Sequence, residues 1–218
     1  MKQNLLLVLA VVATSAIYAQ NVSNSQKQKK EYKFGLKAGY NISYARGSNS
    51  GFTPGNNNGF MVAGFFGSTG KGIIGYRSEI VFSQQGYTYD DAGKNTEVIN
   101  NYIYLPQFTT INITKFIQLQ AGMQVGYLLN SSKSGAGKSA DTSMLNFMNR
   151  IDYGFAAGFE IYPFKGLIAG ARYNLGLGKM YKEYDMSATN PSPFPLPFNP
   201  ATTNLKNGGV QIFIGYRF

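Results

Sequence analysis

GGVQIFIGYRF, residues 208–218, alternates strictly along its length. Val210, Ile212, Ile214, Tyr216 and Phe218 fall on one face, and Gln211, Phe213, Gly215 and Arg217 on the other, which is the two-residue period of a β-strand. The first face is apolar and carries aromatic residues at its end. Eleven residues match the roughly 9 to 11 that a tilted strand needs to cross a bilayer. A strand can cross only if its backbone groups are all paired, which requires a closed barrel. The fold therefore depends on whether the rest of the chain supplies partners.

It supplies seven. Residues 33–43 set Phe34, Leu36, Ala38, Tyr40 and Ile42 against Gly35, Lys37, Gly39 and Asn41. Residues 59–68 are apolar on both faces, so they read as a strand without a defined facing. Residues 73–87 set Ile74, Tyr76, Ile80 and Phe82 against Arg77, Glu79, Ser83 and Gln85, which places a charge pair on the inner side. Residues 98–113 make a fourth strand, weakened at its centre by Pro106, which has no N–H to give a ladder. Residues 116–129 alternate most cleanly, with Gln118, Gln120, Gly122, Gln124 and Gly126 on the second face. Residues 151–161 and 167–177 follow, with Asp152, Glu160 and Arg172 on their inner faces.

The predicted connections run long, short, long, short, long, short, long. The short ones lie near Gly70, Lys115 and Phe164, and polar segments at 44–58, 87–97, 130–150 and 178–207 are the long ones. That asymmetry is the grammar of a membrane barrel, with short periplasmic turns and long extracellular loops. A soluble eight-stranded barrel also alternates, but it needs a charged outer face. Here the non-apolar positions are Gly, Gln, Asn and isolated charges, suited to a narrow interior. Tyr40, Tyr87, Phe116, Tyr127, Tyr153, Tyr162, Phe164, Tyr216 and Phe218 lie near strand ends, where interfacial girdles form. The expectation is an all-β chain: an eight-stranded antiparallel transmembrane β-barrel over residues 33–218.

The amino-terminal segment fits that placement. Residues 1–19 have Lys2, an apolar core from Leu5 to Ala13 and a small residue, Ala19, at the cut, the pattern of a cleaved secretory signal peptide. Residues 20–32 read as a polar periplasmic lead-in containing Lys27, Lys29 and Lys30. The formal charge is +10, from 20 basic and 10 acidic residues. Export and the scatter of the basic residues argue against nucleic acid as a partner. There is no Cys and no His, so thiolate chemistry, disulfides and the commonest general base and metal ligand are absent.

Several stretches resemble the PorT-like, porin-family eight-stranded outer-membrane barrels of Bacteroidetes. They are YKFGLKAGY at 32–40, RSEIVFSQQG at 77–86, YIYLPQ at 102–107, residues 119–129, YGFAAGF at 153–159, ARYNLGL at 171–177 and the final GYRF. The resemblance implies a Gram-negative outer-membrane location. It also implies assembly by the barrel-insertion machinery, with Tyr216 and Phe218 in the strand that resembles its recognition signal. The family carries no single activity; one member is associated with protein secretion.

Candidate chemistry is sparse. Gly137, Lys138 and Ser139 resemble the end of a phosphate-binding loop, but Ser132 stands where the first Gly belongs. Asp90, Asp91, Asp141, Glu183 and Asp185 lack the spacing of a calcium loop. No catalytic cluster, cofactor site or metal site is expected, so the chain reads as non-enzymatic.

Lys37, Arg77, Glu79, Asp152, Glu160, Arg172 and Arg217 all share the inner parity. In a narrow interior such charges must pair or be hydrated, so ion pairs among them are expected, with Gln118, Gln120, Gln124 and Gln211 filling the gaps. The adopted reading is a packed polar plug in a monomeric barrel. The alternative is a narrow, anion-tolerant passive channel, since the set holds four basic and three acidic residues. The last loop contains PSPFPLPFNP at 191–200, whose five prolines favour a stiff extended form. With Tyr181, Tyr184, Phe194, Leu196 and Phe198 it is either an extracellular contact surface or a lid over the mouth. A structural or loop-mediated binding role follows from the plug, a channel from the alternative, and an accessory role in secretion from the resemblance alone.

Overall fold

The computed structural model describes residues 32–47, 52–68, 72–91, 93–135, 142–183, 196, 198, 199 and 204–218. The signal-peptide and lead-in readings below Tyr32, the 137–139 motif, Asp141, Asp185, Tyr184 and Phe194 lie outside these residues. Among the described residues nine strands run in order: β1 (Tyr32–Arg46), β2 (Gly55–Ser68), β3 (Ile74–Asp91), β4 (Lys94–Asn112), β5 (Ile117–Gly135), β6 (Thr142–Ser143), β7 (Ile151–Ile161), β8 (Leu167–Gly176) and β9 (Lys206–Arg217). The two-residue β6 pairs only with the outer end of β5. The other eight form a ring in which each strand is antiparallel to its neighbours, and β1 pairs with β9 to close it.

Alternation sets the wall. Leu36, Ile80, Met123 and Ile214 face outward and are 60 to 66% exposed, while Lys37, Glu79, Gln124 and Phe213, one residue away, are buried. A continuous outward apolar band over a ring of paired strands is stable only in lipid. The structure also gives β2 and β4 the facing that their sequences leave open. Met61, Ala63 and Phe65 point inward from β2, and Tyr102, Tyr104 and Phe108 from β4. Pro106 is accommodated within β4. The β3–β4 pairing runs from Ile74↔Ile111 to Ser78↔Gln107, then resumes at Val81↔Tyr104, past the residue that has no N–H to donate.

One expected loop is not a loop. Residues 87–97 continue both strands, and Asp91 pairs with Lys94 across a tight turn. Gly93 takes φ 80, a left-handed conformation that glycine adopts without a Cβ penalty, and its N–H donates to Asp90 Oδ1 at 2.6 Å. The polar composition of this stretch disguised its alternation, because Tyr87, Tyr89, Thr96 and Val98 all keep the inward parity and are buried. β5 likewise runs on to Gly135, past a register shift opposite Asn101 and Tyr102. β3, β4 and β5 therefore have 18, 19 and 19 residues, against 11 and 10 in β7 and β8. A span needs only about 9 to 11 residues, so the long strands rise well beyond the bilayer on one side of the barrel.

Candidate functional site

The interior is built in tiers. In the first, Lys37 on β1 reaches two carboxylates from opposite sides of the ring: its Nζ lies 2.5 Å from Glu79 Oε1 and 2.6 Å from Glu160 Oε1. Arg172 Nη2 lies 2.9 Å from Glu79 Oε2, and Arg77 Nη1 pairs with Glu160 Oε2. Arg77 and Glu79, two residues apart on one strand, do not pair with each other. Each instead takes partners from other strands. Tyr162 donates to Glu160 Oε2 at 2.7 Å, and Gln118 Oε1 accepts from Arg77 Nη2 at 2.9 Å. Arg172 Nη2 also donates to Gln120 Oε1, at 3.4 Å.

Three cations here face two carboxylates, and aromatic rings take up the difference. Lys37 Nζ is 4.8 Å from the ring centres of both Phe65 and Phe213, Arg77 is 4.6 Å from Phe65, and Arg172 is 4.4 Å from Phe108. Desolvated cation–π contacts of this kind contribute about 2 kcal/mol each. This explains why β2 is apolar on both faces: its inward Phe65 is the seat for two cations.

Asp152 and Arg217 do not join the ion pairs that their parity suggests. Parity fixes the face a residue occupies but not its height along the axis. Asp152 lies toward the outer end, where its Oδ2 accepts from Tyr104 at 2.7 Å and from Asn207 Nδ2 at 3.0 Å. Arg217 sits at the periplasmic rim, 4.6 Å from the ring centre of Tyr162. Gln124 and Gln211 line, with Asn41, Gln85 and Asp152, a cavity of about 10 Å³, which is about one water's worth of space.

The third tier is apolar. Phe198 packs 4.6 Å from Phe52 and 5.3 Å from Tyr181, ring centre to ring centre, and Tyr87 and Tyr181 share a hydroxyl hydrogen bond of 2.6 Å. Tyr181, Leu196 and Phe198 are all buried, so these three members of the expected contact loop are spent on closing the mouth. Burial also holds the Tyr181 hydroxyl well above the usual tyrosine range. Tyr87 and Tyr162 point inward rather than joining the outer girdles, whereas Tyr40, Phe116, Tyr127, Tyr153, Phe164, Tyr216 and Phe218 are exposed. No alternation or motif marks the mouth residues Phe52, Met144, Met148 and Leu205, which become buried only when the loops fold over.

A sequence profile of the outer membrane protein beta-barrel domain matches residues 18–182, well over half of the chain. The chain belongs to that family. Membership places this outer-membrane β-barrel in the bilayer that its exposed apolar band requires. Among curated proteins none matches it in sequence. Among solved structures, Neisserial surface protein A is similar with a TM-score of 0.50 and 15% identity, over 87% of this chain and 100% of that one. The attachment invasion locus protein Ail of Yersinia pestis has a TM-score of 0.49 and 17% identity, over 86% of this chain and 99% of that one. At such identities the likeness to the Neisserial barrel is one of fold.

Proposed function

We propose that this outer-membrane β-barrel is a monomeric, non-enzymatic and non-conducting protein that works through its outer end, as a binding or accessory surface held by a sealed wall. The observation that carries this reading is the Lys37, Glu79, Arg172, Glu160 and Arg77 tier, whose side chains cross the lumen from β1, β3, β7 and β8. Eight-stranded barrels have interiors only wide enough for side chains, and these fill the section with paired charges. The tall β3–β5 wall is the surface a partner meets. In this reading the chain is a PorT-like barrel, exported by a signal peptide cut near Ala19. The barrel-insertion machinery recognises the strand bearing Tyr216 and Phe218, and an accessory role in secretion is one partner class for the outer end.

Conductance tests it. The purified, heat-modifiable barrel in a planar bilayer is expected to be silent, and a Glu79→Ala, Arg172→Ala variant to gain discrete steps. Discrete steps from the unaltered protein would replace the sealed barrel with a channel.

A further inference from the structure

The periplasmic rim carries a basic cleft that the interior does not explain. Lys33, Lys115, Lys165 and Arg217 line a hollow of about 310 Å³ together with Phe116 and Phe164. Among the described residues no carboxylate side chain lines it, and none of these four cations is in a salt bridge. Inside the barrel, by contrast, Lys37, Arg77 and Arg172 are paired with carboxylates, and at the outer end Lys179 pairs with Glu183. Four cations with no acidic side chain beside them, set among exposed aromatic residues at the level where the wall meets water, suit a phosphate at the bilayer surface.

A second hollow begins where the first ends. Tyr216 lines both. From it, a groove of about 690 Å³ runs up the lipid-facing wall over Leu36, Ala38, Gly64 and Ile80. Gly64 makes the depression. It faces outward between Leu36 and Ile80 on the neighbouring strands, where every other strand position of this kind nearby holds a side chain. A Cβ built there meets nothing closer than Leu36 Cδ2 at 3.9 Å, so the backbone does not require glycine for space. The gap is open to the hydrocarbon.

We propose that these two hollows are one site, and that it holds a single anionic phospholipid of the inner leaflet, headgroup phosphate in the basic cleft and one acyl chain along the groove over Gly64. The charge selects the headgroup, and the groove adds contact area that a free anion lacks. The site is independent of whether the lumen conducts.

Native mass spectrometry of the full barrel in mild detergent tests this, with phosphatidylglycerol and phosphatidylcholine of identical chains as probes. The unaltered barrel is expected to retain one phosphatidylglycerol at least tenfold more than phosphatidylcholine. A Lys115→Ala, Lys165→Ala, Arg217→Ala variant loses that preference. Gly64→Leu fills the groove and lowers phosphatidylglycerol retention severalfold while heat-modifiable migration stays intact, and Ala38→Leu serves the same purpose if Gly64→Leu does not fold. Equal retention of the two lipids by the unaltered barrel would overturn the proposal. So would full retention in a folded groove-filled variant, which would leave a headgroup contact with no seated chain. Displacement of phosphatidylglycerol by millimolar inorganic phosphate would equally overturn it, in favour of a free-anion site.

Discussion

Glu160→Ala is expected to lower the unfolding free energy by about 3 to 5 kcal/mol, the cost of removing one partner from a buried charge pair. Glu160 is fully buried and answers two cations, Lys37 through Oε1 and Arg77 through Oε2. Without it, three cations share Glu79 alone. Neither Arg77 nor Lys37 can escape to water, because the aromatic cap closes one end and Tyr162 and Arg217 stack at the other. Urea unfolding of the barrel in detergent or bilayer, followed by its heat-modifiable migration, measures the loss. Two comparisons give the result its meaning. Glu183→Ala removes the solvent-exposed pair with Lys179 and is expected to change nothing measurable. Replacing the whole tier with apolar side chains of similar volume is expected to cost far less than Glu160→Ala, since desolvation is then relieved on every member at once. If Glu160→Ala proved as stable as the unaltered barrel, the tier would not be a closed set of ion pairs.

Gly122→Val is the second large effect, and it acts through the backbone. Gly122 faces the lumen from β5, directly opposite Phe108 on β4. A Cβ there would stand 1.9 Å from the carbonyl oxygen of Gln107 and 2.9 Å from the Cα of Phe108. Those atoms belong to a paired strand, so no side-chain rotation relieves the clash. Overpacking in well-packed cores costs about 1 to 3 kcal/mol, and a clash with a strand that cannot retreat belongs at or beyond the upper end. The Phe108 ring under Arg172 would shift with it, loosening the charge tier. The expected readout is a severe drop in the folded fraction on refolding into detergent. Gly64→Val is the control: it adds the same atoms to open space on the lipid face and is expected to fold normally.

The contrast between these two glycines also shows what the sequence discloses. Alternation reveals which face a residue occupies, and for β1, β3, β5, β7, β8 and β9 it did so, because a polar or small lumen opposes an apolar exterior. It fails for β2, where Phe65 is inside because it seats two cations, so both faces read as apolar. It fails for residues 87–97 for the opposite reason: beyond the bilayer no lipid penalises Thr88 or Asp90 on the outer face, so a strand looks like a loop. For the interior, parity picked out Lys37, Arg77, Glu79, Glu160 and Arg172, but partner choice depends on the register of strands far apart in the chain. Asp152 and Arg217 show the limit, since they share the face and stand at other heights. The mouth was least legible of all. Leu196 and Phe198 among prolines read as either a contact surface or a lid, and what decides it is the packing on Phe198 of Tyr181 and of Phe52, which is far away in the chain.

The closure between β1 and β9 bears on the order of assembly. Every other pairing around the ring joins consecutive ring strands, many through turns of a few residues, so loop-closure entropy is small. The β1–β9 ladder instead joins Tyr40 to Ile212 and Lys37 to Gly215, from opposite ends of the barrel sequence. Lys37 is on the first strand of that seam, with Glu79 two strands away through β2, but the Lys37–Glu160 and Arg172–Glu79 pairs each join strands from opposite sides of it. An open sheet would therefore hold Glu160 short of Lys37 and Arg172 short of Glu79, and the last hydrogen bonds to form are the ones that bring them together. Zipping the seam and neutralising the lumen are one kinetic event, which makes the half-closed barrel a high-energy species and the finished one slow to reopen.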